Sequence, residues 1–502
     1  MRATRFRGWL CGAGSTDEHR SHNAMSRREQ TSAHHAPTAR HAGGPSSGLC
    51  GGESFDIHEL PPPPRLQQYA GWQTEHAQFG WYTEACMLLP NATRSCWLGN
   101  RDHSSRGPIY DTKEYILQSI VHARALACNR NTSGYRAPLH VIPYPAWDVF
   151  MARRVGLISY EESAAYHAQV KRVLASTPAF RRCRGCDHVL ALSHMAMDYL
   201  KGDSASYLQH GAGEFHLLDP FWARVAKLSI EVQPKHLRRV PNLYAVPYPT
   251  AVHASTPKEL STWQAKLLRA ERPVLLAFMA GFRPSRAALI DGCVRDAHCR
   301  YVNCSVRGEC ARAQVEATNL QARYCLQPPG DSPTRRAFFD ALAHGCIPVV
   351  VSPDTVHYPG YDLAPLARFA RWSLLRPWSK PNRAYDNLTA ELQEVSDTEV
   401  LAERQRVVHA LPSLLYANDA GAEDHRQAGK AKGWQTVEQT QTQHMAHADA
   451  THVWTDALAV AIEHVSRRVR SGTWSEKRNG SIVDHVPGQD TSVRHTPVSS
   501  NN

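Results

Sequence analysis

Short apolar runs alternate with longer stretches of helical period through the middle of the chain. The first run, FDIHEL at residues 55–60, alternates like a strand, and four prolines at 61–64 stop it. Helical period follows over 112–127, a strand over LHVIPYP (139–145), a helix over 160–177 and a strand over DHVLALSH (187–194). Alternation of this kind predicts a doubly wound α/β fold. A second series begins at NLYAVPYP (242–249) and runs through PVLLAFMAG (273–281), RYVNC (300–304), ARYCLQPPG (322–330) and CIPVVVSP (346–353). Helices over 397–417 and 449–470 close the pattern. Residues 1–50 and 471–502 are polar with few large apolar side chains, the composition of disordered tails. The expected organisation is two successive α/β domains, 51–255 and 256–470.

The stretch YCLQPPGDSPTRRAFFDALAHGCIPVVV (324–351) is the richest in chemistry. Tyr324 to Gln327 predict a buried strand that Pro328, Pro329 and Gly330 turn. Ser332 suits an N-cap and Pro333 the first helical position, and Gly345 suits the helix end. Ligands bind outside the carboxyl ends of strands in open α/β sheets. A helix start there offers the N–H groups of Thr334 and Arg335, and Arg335 and Arg336 add two guanidinium forks suited to phosphate oxygens. The same residues also fit a plain surface arrangement, in which Asp331 caps the helix and pairs with Arg335. A second turn, AFMAGFRPSR (277–286), places Gly281 and Arg283 after another apolar run and aims at the same crevice if the two strands are neighbours.

Composition narrows the partners. The 502 residues carry a formal charge of +11, but the excess is scattered and no basic run with interleaved aromatics occurs, which argues against nucleic acid. Thirteen cysteines and sequons at Asn91, Asn131, Asn303, Asn387 and Asn479 fit a secretory-pathway chain. Cys293, Cys299, Cys304 and Cys310, spaced C-x5-C-x4-C-x5-C, suit two local disulfides better than a zinc site, with free thiols the alternative. Cys183 and Cys186 form a C-x-x-C pair that is either a short disulfide or two thiols. The first twenty residues hold no apolar run long enough for a signal peptide or spanning helix. Phosphate-loop, dinucleotide, nucleophile-elbow and zinc-helix motifs are missing, and Asp397-Thr398-Glu399 reads as a helix start rather than a metal-binding acidic pair.

Residues 324–353 resemble the donor-site signature of exostosin-like glycosyltransferases, family 47, and within it the plant xyloglucan galactosyltransferase branch. The resemblance extends to RPVLLAFMAGFRP, the four-cysteine segment, PNLYAVPYPTAVH (241–253), FDIHELPPPP and CDHVLALSH. It implies a GT-B fold, with two facing Rossmann-like domains and a donor-binding cleft between them. It further implies inverting transfer of a sugar, galactose by the branch, from a UDP-sugar to a polysaccharide or glycan acceptor, with no metal cofactor. Golgi glycosyltransferases would be its partners, and a type II anchor in the Golgi its location, although that anchor is not visible in this sequence. The donor diphosphate would meet Arg283, Gly330, Asp331, Ser332, Thr334, Arg335 and Arg336. Asp187 and His188, at a strand end in the acceptor half, are candidates for the catalytic base. Arg184-Gly185-Cys186 departs from the two glycines and arginine usual before that pair, which leaves a catalytically silent glycan-binding or scaffold protein as the alternative.

Overall fold

The computed structural model describes residues 53–65, 68, 107–110, 112, 115–128, 139–200, 215–305, 310–369, 388–418, 455–478 and 481–485. The 1–50 segment expected to be a disordered tail lies outside them. Near-continuous apolar runs such as HVLALSHM and VLLAFMA are what strands buried on both faces require. They form two five-stranded sheets, all parallel. The first runs in chain order, β1 (Phe55–Ile57), β2 (Leu139–Val141), β3 (His188–Met195), β4 (Ala226–Ile230) and β5 (Leu243–Ala245). The second contains β6 (Val274–Ala280), β7 (Cys299–Asn303), β8 (Ala322–Gln327), β9 (Ile347–Val350) and, after the small hairpin β10 (His357–Tyr358) and β11 (Tyr361–Asp362), β12 (Arg368–Phe369). Its spatial order is β7-β6-β8-β9-β12. The order reverses at β6, so β6 and β8 flank a topological switch point.

Two expectations change and one strand comes in addition. The 242–249 run does not open a second series: β5 pairs with β4 and completes the first sheet. Strand β4 escapes the pattern because AKLSI contains a lysine, yet Lys227 is fully buried and donates its Nζ to the Trp222 carbonyl at 2.6 Å. The tail after 471 holds an antiparallel pair, β13 (Trp474–Arg478) and β14 (Ser481–His485).

The change of sheet falls between Ala245 and Val274, and both sheets belong to one compact unit, Ser46–Asn502. The last helix, Ala457–Ser471, returns to the first sheet. Its N-cap Asp456 accepts from Ala459 N–H and forms a buried ion pair with Arg124 at 2.6 Å. Farther along, Arg468 donates to the Arg224 and Cys186 carbonyls, and Arg470 pairs with Glu53 at 2.7 Å. Breaking a buried pair such as Arg124–Asp456 costs about 3–5 kcal/mol because the remaining charge is stranded. The helix is thereby fixed to a sheet more than 200 residues upstream.

Candidate active site at the β6/β8 switch point

The turn after β8 is built from its own polar groups. Pro328, Pro329 and Gly330 end the strand at Gln327, and Gly330 N–H closes on the Ser332 carbonyl at 2.8 Å. Ser332 Oγ donates to the Thr334 carbonyl, Thr334 Oγ1 to the Thr355 carbonyl, and Thr355 Oγ1 back to the Pro333 carbonyl. Ser332 and Thr334 are buried, so their hydroxyls hold the turn together. The helix starts later than its sequence suggests: it spans Arg336–Ala343 with Arg335 at the N-cap, and no side chain caps it. Reciprocal bonding through Thr355 outcompetes Ser332 as a cap. The helix end matches expectation, since Gly345 has φ +67° and the Gly345 and Cys346 N–H groups reach the Leu342 and Ala341 carbonyls.

The two adjacent arginines diverge. Arg335 lies over the ends of β6 and β8, where Nη2 donates to the Met279 carbonyl (3.1 Å) and the Gln327 side-chain oxygen (3.2 Å). No carboxylate pairs with it among the described residues, and its Nε has no partner there. Burial, then Arg286 nearby, push its pKa down to about 9, so it stays charged at neutral pH. Arg336 turns the other way, to the Thr112 carbonyl (3.1 Å) and Asp340 (3.4 Å).

The turn after β6 meets this one. Arg283 pairs with Asp331 at 2.9 Å across the two turns, both half-exposed, so Asp331 does not cap the helix. Arg286, which the sequence reading passed over, is buried and joins the turns from inside. Its Nε and Nη2 donate to the Pro329 carbonyl and its Nη1 to the Gly281 carbonyl. Its signal was in RPSR, one helical turn beyond Arg283. A Cβ at Gly281 would stand 3.3 Å from Ser305 Oγ, which accepts the Phe282 N–H, so glycine fits this close approach.

The first sheet contributes Glu231, another residue that pattern reading missed. It follows β4, is buried, and has φ +52°, a left-handed conformation uncommon outside glycine. Tyr248 donates to Glu231 Oε1 at 2.5 Å, and Tyr358 accepts the Glu231 N–H while donating to the Val246 carbonyl. Glu231 is also within electrostatic range of Arg335.

Asp187 and His188 lie elsewhere. They stand at the amino end of β3, whereas β4 meets Met195 at the carboxyl end just before Glu231. At about 3.3 Å per residue, roughly 20 Å of strand separates the two places. Asp187 accepts from His188 Nδ1 (2.7 Å) and pairs with Arg182. Burial would raise the Asp187 pKa, but those two donors outweigh it and hold the carboxyl well below its usual range. His188 is fully buried, which pushes its pKa down. His194, at the far end of β3, stacks on Trp147 at 3.6 Å and pairs with Asp198.

Cys293–Cys299 and Cys304–Cys310 are disulfides, as their spacing suggests, and Cys183–Cys186 is a third. Cys325–Cys346, joining β8 to the start of β9, was not foreseen, because its two cysteines stand far apart in sequence. Of the sequons, Asn303 ends β7, and its side-chain oxygen accepts from Ser305 N–H; Asn91, Asn131, Asn387 and Asn479 lie outside the described residues.

Two parallel α/β sheets, with arginine-bearing turns meeting at a switch point, make a Rossmann-like fold with a cationic crevice at the strand ends. Residues 67–372 match the Exostosin GT47 domain. The chain belongs to that family and is a glycosyltransferase. It is 30% identical over 357 residues to a probable xyloglucan galactosyltransferase of Arabidopsis thaliana, covering 67% of this chain and 72% of that one. A xyloglucan-specific galacturonosyltransferase of the same plant is 30% identical over 257 residues, 50% of this chain and 37% of that one. A further xyloglucan galactosyltransferase is 26% identical over 381 residues, 74% and 59%. The chain thus spans well under two thirds of some of the relatives it matches.

Proposed function

We propose that the chain is an inverting glycosyltransferase that moves galactose, or a related hexose or hexuronic acid, from a UDP-sugar to a cell-wall-type polysaccharide. The observation that carries this reading is Arg335: a charged guanidinium held by the Met279 carbonyl of β6 and the Gln327 side-chain oxygen of β8, with no carboxylate partner among the described residues. A diphosphate is the anion that would complete it. In a GT-B arrangement the second sheet would hold the UDP-sugar and the first the acceptor.

In the transfer, the acceptor hydroxyl oxygen attacks the anomeric carbon as the bond from that carbon to the diphosphate oxygen breaks. The departing electron pair becomes charge on UDP. Arg335 would stabilise that charge without metal assistance, joined by the uncapped N–H groups at the start of helix Arg336–Ala343 and by Arg283 at the rim. The acceptor proton needs a base. Glu231 fits better than Asp187 or His188: it stands at a carboxyl strand end on the acceptor side, and its left-handed backbone is the kind of strain that functional sites hold. Xyloglucan as acceptor and the donor sugars are drawn from the relatives' names.

A secretory location fits the disulfides at Cys183–Cys186, Cys293–Cys299, Cys304–Cys310 and Cys325–Cys346, since such bonds persist in oxidising compartments. Among the described residues no helix is long and apolar enough to cross a membrane, and Golgi residence with Golgi partner enzymes is inferred from family resemblance. A screen of UDP-sugars against xyloglucan and other glycans, with the anomeric configuration of the product read by NMR, tests the proposal. Net inversion with a UDP-hexose supports it. Glycan binding without turnover on any donor would favour the silent scaffold instead.

A further inference from the structure

A group of three histidines lies outside the transfer site. Parallel register sets His140 of β2 beside His188 of β3 and beside Asp56 of β1. His58 follows Asp56 by two residues, which returns it to the same face of the strand. Its N–H donates to the Val141 carbonyl at 3.0 Å, so the backbone fixes its approach. Ring centroids lie 4.8 Å apart for His58 and His188, 4.8 Å for His140 and His188, and 5.7 Å for His58 and His140. One nitrogen from each ring lies within 4.8 Å of the other two.

The nitrogens are buried, and Nε2 of all three rings has no hydrogen-bond partner among the described residues. Leaving one such group unsatisfied costs about 1–3 kcal/mol, and here three belong to one cluster. The other edge of His188 is held by a carboxylate, and a second carboxylate lies near His140 without a hydrogen bond to it. His188 Nδ1 donates to Asp187 at 2.7 Å, and His140 Nδ1 lies 3.2 Å from Asp56 Oδ2. A proton held on His188 Nδ1 leaves its Nε2 lone pair free to accept. The Asp187–His188 pair is the kind of outer support that metal-binding histidines use.

We propose that His58, His140 and His188 form a binding site for a divalent transition-metal ion of the zinc class. Three imidazoles suit zinc, copper, nickel or iron; magnesium and calcium prefer oxygen ligands. A zinc–nitrogen bond of about 2.0–2.1 Å asks for nitrogens roughly 3.4 Å apart, so binding requires the stacked rings to turn as well as to close together. His58 is only partly buried and marks the way in. Phe180 packs edge-on to His188 at 5.1 Å and covers the other side. The site ties β1, β2 and β3 together beside the amino end of β3, roughly 20 Å of strand from Glu231. Its role is therefore structural, and sugar transfer does not run through it.

The test uses the full chain without a histidine tag. After dialysis against zinc and then metal-free buffer, emission spectrometry should find one ion per wild-type chain. Cobalt added to the metal-free protein should give visible absorption saturating at one equivalent. His58→Ala, at the partly exposed edge, and His140→Ala should each lose the ion and the spectrum, and zinc should raise the melting temperature of the wild type alone. If His140→Ala does not fold, the wild type and His58→Ala decide. Failure of the wild type to hold a stoichiometric ion, or retention of the ion by either folded variant, overturns the proposal.

Discussion

Arg286 and Pro329 are joined by two hydrogen bonds from one guanidinium to one carbonyl, 3.2 Å from Nε and 2.8 Å from Nη2. A third bond from the same group reaches Gly281 at 3.1 Å, so one side chain sets the spacing of the two turns that carry Arg283 and Arg335. Lysine cannot reproduce that fork. Arg286→Lys should therefore lose about 2–4 kcal/mol of stability, since each bond from a charged group contributes about 1.5–3 kcal/mol. UDP affinity should fall with it. Denaturant midpoints and calorimetry check both.

Glu231→Gln keeps the size and the Tyr248 contact but removes the basic oxygen. With Glu231 as base, kcat should fall by about 10²-fold or more. UDP affinity should stay near wild type. Asp187→Asn should leave donor binding intact and lower stability instead, because it weakens the contacts to His188 and Arg182.

The Cys325–Cys346 bridge closes a loop that contains the whole arginine turn and its helix. Replacing both cysteines with alanine should cost about 3 kcal/mol, the loop-entropy figure for a span of this length. Thermal melts with and without reductant, against the double variant, measure it. The reductant-sensitive loss should be smaller in the variant.

Stability should fall on mild acidification. Burial pushes the pKa of His253 and of His344 down to about 4, and His58 and His236 share that value. Between pH 6.5 and 4 the unfolded chain binds protons that the folded chain refuses, so stability is complete above about 6.5 and drains as pH falls towards 4. Each histidine contributes a slope of at most about 1.4 kcal/mol per pH unit. Denaturant midpoints between pH 7 and 4.5 should show the slope, and His344→Gln should reduce it by about one proton. A flat profile would contradict it.

The strand-turn-helix-strand unit at 324–351 was legible because prolines, glycines and an unbroken apolar strand each act locally. The helix start was not, because Thr355, twenty-one residues beyond Thr334, competes for the turn. The arginine pair was visible as charge, but its division of labour depends on Asp340, Thr112, Met279 and Gln327, which only the folded chain brings together. Glu231 carried no motif. Its place follows from β4, hidden by a buried lysine, and from a tyrosine on the far side of the chain.

The central claim is that Arg335 meets the donor diphosphate, and calorimetry of UDP binding to the full chain tests it most directly. Wild type should bind UDP; Arg335→Ala should lose at least tenfold in affinity, about 1.4 kcal/mol, as expected when a charge-assisted bond is removed. Uridine, which lacks the diphosphate, should bind both proteins equally. Unchanged UDP affinity in a folded Arg335→Ala would contradict the account.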